Sequence, residues 1–158
     1  MAYPSLFNEA LIKADMEAKT KEEALQSLAS VLISNGYVRE SFTKAVLDRE
    51  GIFPTGLSTE DIGVAIPHAD KEHVIKPGIA VAVLKSPIKF NVMENPREET
   101  DVRIIFMLAL TDSNLQIGAL KNIIAIIQDK ELLSKLINTK DIKEVMRLLQ
   151  SGFTSIVS

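Results

Sequence analysis

The chain carries two histidines, His68 and His73, and no cysteine. Imidazole changes its protonation near neutral pH, so acid–base or nucleophilic work there falls most naturally to these two side chains. His68 is the more informative. It closes the run Gly63-Val64-Ala65-Ile66-Pro67-His68, at the carboxyl end of a predicted buried strand. Open α/β sheets bind ligands beyond the carboxyl ends of their strands. Pro67 fixes its own φ and biases Ile66 toward extended backbone, which would aim His68 rigidly. Apolar neighbours favour the neutral imidazole, which is the nucleophilic form. The plainer alternative is a histidine satisfied by hydrogen bonds at a strand end.

A metal site is the rival chemistry. His68, Asp70 and His73 could supply ligands, but neither a strand nor a helix puts all three on one side. Only an irregular turn would gather them, and there is no cysteine or further histidine to complete the set. Arg49 falls near the end of a predicted helix, where a cation suits the dipole. Its guanidinium could grip a phosphate with two hydrogen bonds, or simply pair with a nearby carboxylate. Thr55 and Gly56 could offer a hydroxyl and a backbone N–H to an anion, or make an ordinary turn. Neither the Gly-x-x-x-x-Gly-Lys-Ser/Thr loop nor Gly-x-Gly-x-x-Gly occurs, so nucleotide binding has no support. Glu98, Glu99 and Asp101 read as a solvated loop.

The elements that must position these residues follow from the hydrophobic period. Thr20-Lys21-Glu22-Glu23 reads as a capping box, followed by Ala24, Leu25, Leu28, Ala29, Val31 and Leu32 at helical spacing. Asn35-Gly36 stops that helix. A second helix is predicted over about 39–50, with Phe42, Val46 and Arg49 on one face and Gly51 ending it. Phe53-Pro54-Thr55-Gly56 is turn chemistry. Short apolar runs at 63–66, 78–84, 88–90 and 102–110 predict strands buried on both faces. The helical period returns after Thr111-Asp112-Ser113-Asn114, with Leu115, Leu120, Ile123, Ile124 and Ile127 in one stripe. Two shorter helices follow at about 130–137 and 142–150. Helices, then strands, then helices implies an α/β fold, a sheet covered by helices on both faces.

Composition sets the outer limits. At 158 residues the chain suits one domain, and it is long enough to build its own core. A net charge of −3 argues against nucleic acid, whose phosphates call for clustered lysine and arginine. The longest apolar runs, 104–110 and 79–84, are far short of the roughly 20 residues that cross a bilayer. Met1-Ala2-Tyr3-Pro4-Ser5 and its continuation lack the pattern of a signal peptide, and the absence of cysteine fits a reducing cytoplasm.

Arg49-Glu50, then Phe53-Pro54-Thr55-Gly56-Leu57, then Val64-Ala65-Ile66-Pro67-His68 resembles the enzyme IIA domain of the fructose–mannitol class of the bacterial sugar phosphotransferase system. The resemblance covers essentially the whole chain, as a single domain over 1–158. It implies an α/β fold with a central mixed sheet between helices. It implies that His68 takes a phosphoryl group from phospho-HPr and passes it to an enzyme IIB partner, itself coupled to a membrane IIC permease. Arg49 would stabilise the phosphohistidine, and Thr55 could add a hydrogen bond. No cofactor is implied. Phosphoryl transfer needs mostly positioning and charge stabilisation, which these residue types supply.

Two positions depart from the common pattern. Glu60-Asp61 stands where many members have Leu/Ile-Gly. Gln116 stands where many have a second histidine at the start of the helix after the last strand. Glutamine can donate a hydrogen bond to a phosphoryl oxygen but cannot serve as acid or base. With Phe-Pro-Thr-Gly-Leu, Ile-Pro-His-Ala-Asp and His73-Val74, Gln116 gives a pattern similar to galactitol-type enzyme IIA proteins. The expected function is therefore a cytoplasmic phosphocarrier for a polyol, galactitol, without nucleic-acid binding or membrane insertion. Two alternatives stand beside it: a regulatory module that signals phosphorylation state to a transcription factor or transporter, and a metal-dependent hydrolase using His68, Asp70 and His73.

Overall fold

The computed structural model describes residues 6–59 and 61–152, so the first five residues, Glu60 and the last six residues lie outside the described residues. Five strands form one mixed sheet: β1 (Ile12–Met16), β2 (Gly56–Leu57), β3 (Gly63–Ala65), β4 (Gly78–Asn91) and β5 (Glu99–Ala109), in the spatial order β1-β4-β5-β3-β2. β4 and β5 pair antiparallel as a long hairpin; β1 runs parallel to β4, and β3 runs parallel to β5. Five helices cover it: α1 (Lys21–Ser34), α2 (Phe42–Ile52), α3 (Ser113–Gln128), α4 (Lys130–Asn138) and α5 (Ile142–Gly152).

The central strands are apolar on both faces. Ile79, Val81 and Val83 of β4, with Ile104, Phe106 and Leu108 of β5, pack against α3, α4 and α5. Ala80 and Ala82, with Ile105, Met107 and Ala109, pack against α1 and α2. The alternation is the period-2 geometry of a strand. The sheet thus lies between two helical layers, as the element order implied.

Local chemistry explains the borders. Thr20 Oγ1 accepts from the Glu23 N–H at 3.1 Å and caps α1, while Gly36 takes a left-handed φ of 78° just past its end. Asp112 caps α3 by accepting from Asn114 N at 2.7 Å. Gly63 is required by close approach, because a Cβ there would stand 2.2 Å from the Asp101 carbonyl oxygen of β5.

The structure corrects several sequence expectations. β1 lies outside the expected strands: its apolar–polar alternation spans only the five residues Ile12–Met16, and it is an edge strand whose Asp15 takes φ 55°. Gly56, expected in a turn, starts β2 and with Leu57 pairs with β3. The runs 78–84 and 88–90 are one strand. A bulge between Val83 and Ile88 absorbs Lys85-Ser86-Pro87, and Arg103 Nε donates to the Leu84 carbonyl at 2.9 Å across it. Glu99 and Asp101 belong to β5, with Asp101 paired to Lys89 at 2.9 Å; they do not form a loop cluster. Gly51 does not end α2, which continues to Ile52. In α3 the buried stripe is Leu115, Ala119, Asn122, Ile123 and Ile126, and Ile124 is exposed.

Candidate functional site

β3 and β5 run parallel, so their carboxyl ends open on the same side of the sheet. The chain leaves β3 through Ile66-Pro67 and is tied back to β5 by the Leu108 N–H, which donates to the Pro67 carbonyl at 2.9 Å. That bond belongs to a short parallel bridge that sets His68 beside Leu108 at the end of the strand pair. A cleft of about 440 Å³ lies there, bordered by His68, Asp70, Arg49 and, from the first turn of α3, Asp112, Ser113 and Gln116.

The imidazole is partly buried and directed. His68 Nδ1 lies 3.0 Å from the Ile66 carbonyl oxygen. A carbonyl only accepts, so Nδ1 carries the proton and Nε2 keeps its lone pair. Burial depresses the His68 pKa below the ordinary imidazole value, and the charge of Arg49 pushes the same way. The Ile66 carbonyl and Asp70 oppose the shift without cancelling it. The site therefore presents a neutral imidazole with a free nucleophilic nitrogen.

Arg49 sits in the last turn of α2, as its sequence position predicted. Its Nη1 is 3.6 Å from Asp70 Oδ1, and its guanidinium carbon is 5.3 Å from the centre of the Phe53 ring. Its Nε–H is buried and has no partner among the described residues. Gln116 reaches the cleft from α3, a helix of 16 residues whose N-terminus turns backbone N–H groups and dipole toward it. A cationic guanidinium, a helix N-terminus and a neutral imidazole suit a transferable anionic group on His68 Nε2.

Thr55 is not part of the cleft lining. Its hydroxyl donates to Glu50 Oε1 at 2.7 Å and its N–H to Glu50 Oε2 at 2.8 Å. That proton is therefore engaged inside the protein and does not face an anion. Glu50, whose role the sequence reading did not assign, is 3% exposed and holds this turn from within. Burial raises its pKa, against the lowering effect of the two Thr55 bonds and of Lys21. The signal was available: an acid directly after Arg49, five positions before the threonine of a Pro-Thr-Gly turn. By clamping Thr55, Glu50 fixes the exit of α2 beside Arg49.

His73 stands apart from His68. It ends a short 3-10 turn, Lys71–His73, and its Nδ1 is 2.8 Å from Ser41 Oγ. His68, Asp70 and His73 are not brought together as ligands, and no group of three or more His, Asp or Glu among the described residues could hold a metal ion.

Comparison with known proteins assigns the chain to a family. Residues 5–152 match the family model described as phosphoenolpyruvate-dependent sugar phosphotransferase system, EIIA 2. The chain belongs to this family. It is of the fructose–mannitol type of enzyme IIA. The mannitol-specific phosphotransferase enzyme IIA component of Halalkalibacterium halodurans is 26% identical, over 92% of this chain and 94% of that one. The mannitol-specific EIICBA component of Escherichia coli is 28% identical over 84% of this chain, which matches only 20% of that longer protein. The structure of the E. coli complex of mannitol enzyme IIA with phosphorylated mannitol enzyme IIB superimposes with a TM-score of 0.76 at 26% identity, covering 92% of this chain and 99% of that one. The mixed five-stranded sheet between helices is the enzyme IIA fold. Among the described residues no helix is long and apolar enough to cross a membrane.

Proposed function

We propose that this chain is the cytoplasmic phosphocarrier of a polyol phosphotransferase system. His68 Nε2 takes the phosphoryl group from phospho-HPr and yields it to an enzyme IIB partner that serves a membrane IIC permease. The observation that carries this reading is the bond from His68 Nδ1–H to the Ile66 carbonyl, which leaves Nε2 unprotonated at the mouth of a cleft with Arg49. In the transfer, the Nε2 lone pair forms the new N–P bond as the donor's P–N bond breaks and its electron pair returns to the donor. Arg49 balances the charge on the equatorial oxygens, and Gln116 can donate a further hydrogen bond. Family membership supports the phosphocarrier role, and the E. coli complex, of enzyme IIA with phosphorylated enzyme IIB, supports the partner.

The polyol is proposed to be galactitol, on the pattern Phe-Pro-Thr-Gly-Leu, Ile-Pro-His-Ala-Asp, His73-Val74 and Gln116. The mannitol names of the relatives make mannitol the competitor. Intact mass after incubation with phosphoenolpyruvate, enzyme I and HPr tests the carrier. One acid-labile, base-stable phosphoryl group on wild type and none on His68→Ala is expected; equal labelling of both would refute the assignment. Transfer onward to galactitol-specific and mannitol-specific enzyme IIB then decides the polyol.

A further inference from the structure

Asp70 stands two residues beyond His68 and borders the same cleft. Its carboxylate does not cap the 3-10 turn that it precedes. It faces Arg49 at 3.6 Å, beyond ordinary hydrogen-bond length, with 72% of the side chain exposed. Such a contact is weak and easily exchanged. Its backbone, by contrast, is held. The Asp70 carbonyl accepts from His73 N at 3.1 Å, and the His73 carbonyl accepts from Arg39 N at 2.9 Å, just ahead of α2. The His73 ring is tied to Ser41 as well. Asp70 therefore stays near His68 whatever His68 carries.

Arg49 is differently placed. It has one buried N–H without a partner among the described residues, and its other end meets only this loose carboxylate and the Phe53 ring. The cleft is bordered by two cations, Arg49 and Lys71, and three acids, Asp70, Glu72 and Asp112. An incoming phosphoryl dianion must compete for the guanidinium with an acid fixed beside it.

We infer that Asp70 is the resting counter-ion of Arg49, and that phosphorylation of His68 exchanges it, the guanidinium leaving the carboxylate for the phosphoryl oxygens. Asp70 is thus a positioning residue acting through Arg49. It keeps the phosphohistidine from becoming too stable to hand on. This inference rests on the phosphocarrier reading and deepens it.

The test uses phosphoramidate, a small phosphoryl donor that needs no protein partner. His68 Nε2 forms the N–P bond, the donor's P–N bond breaks, and ammonia leaves with the electron pair. The ratio of phosphorylated to free protein at fixed phosphoramidate and ammonia is read by intact mass for wild type, Asp70→Asn, Asp70→Glu, Arg49→Gln and the Asp70→Asn/Arg49→Gln pair. Asp70→Asn should raise the ratio about fivefold, the scale of an exposed ion pair. Asp70→Glu should stay near wild type, and the Asp70→Asn effect should vanish in the Arg49→Gln background. An unchanged ratio in Asp70→Asn, or the same rise with and without Arg49, overturns the exchange. Phosphorylation of wild type with no Asp70 effect leaves the carrier reading intact; no phosphorylation of wild type by phosphoramidate or by phosphoenolpyruvate with enzyme I and HPr removes both.

Discussion

His68 and His73 lie on one loop, yet the protein holds them in opposite ways. His68 gives its Nδ1–H to a backbone carbonyl and leaves Nε2 at a cleft. His73 places Nδ1 against Ser41 Oγ and has Glu72 3.6 Å from Nε2. One ring is aimed by the main chain and left with a reactive nitrogen. The other links the loop to the start of α2. The difference is made by what surrounds each ring. His68 follows a buried proline and meets Arg49, whereas His73 ends a surface turn beside polar side chains. A histidine becomes a candidate nucleophile when one nitrogen is satisfied and the other is not.

The contrast can be broken most directly by exchanging the losses. His68→Ala should abolish phosphorylation, while His73→Ala should still be phosphorylated and lose about 1 kcal/mol of stability from the Ser41 hydrogen bond. Intact mass and thermal unfolding of the two variants check this, and loss of labelling in His73→Ala would erase the distinction. Next in size, Arg49→Ala should slow phosphoryl acceptance on the order of 100-fold, the scale of one strong electrostatic donor. Quench-flow with phospho-HPr measures it; an unchanged rate would leave the guanidinium without a part in transfer.

Glu50→Ala tests the support behind Arg49. It leaves the Thr55 N–H and hydroxyl buried and unpaired, and should cost about 2–4 kcal/mol in denaturant unfolding. A loss no larger than that of a surface substitution would show the turn is held some other way.

The pH response sharpens the picture of His68. Its folded pKa lies below the ordinary 6.5. As pH falls below that value, the unfolded chain takes up this proton first, so the neutral ring's contribution to stability is present above it and lost on going lower. The folded His68 ring therefore takes up its proton at a lower pH than a free imidazole does. An NMR titration of the His68 ring should inflect below 6.5, and Arg49→Gln should move the inflection part of the way back up. Burial, the larger cause, remains in that variant. The smallest effect belongs to Gln116→Ala, a loss of about threefold to tenfold in transfer rate from one neutral hydrogen bond.

Much of this arrangement is legible in the amino-acid sequence. The position of His68 at a strand's carboxyl end, Arg49 in the last turn of a helix and Gln116 in the first turn of another all follow from local pattern. The edge strand β1 was not legible, because its alternation spans only five residues and its place is set by partners distant in sequence, β4 alongside it and the core that takes up Ile12. The role of Thr55 misled for a related reason. A Pro-Thr-Gly turn looks solvent-facing in sequence, but Glu50 draws the hydroxyl inward, and Gly56 lies so close to β4 that a Cβ would stand 2.5 Å from the Asn91 carbonyl.

The sequence by itself determined the helical and strand periods, the chemistry available to two histidines and an arginine, and the exclusion of thiol chemistry. These depend on residue type and spacing along one segment. Only the tertiary structure decided the strand order, the joining of two apolar runs across a bulge, and the contact of Arg49 with Asp70. It also decided which nitrogen of His68 is free. Each of these depends on partners distant in sequence or on the direction of a single hydrogen bond, and neither is written in a local period.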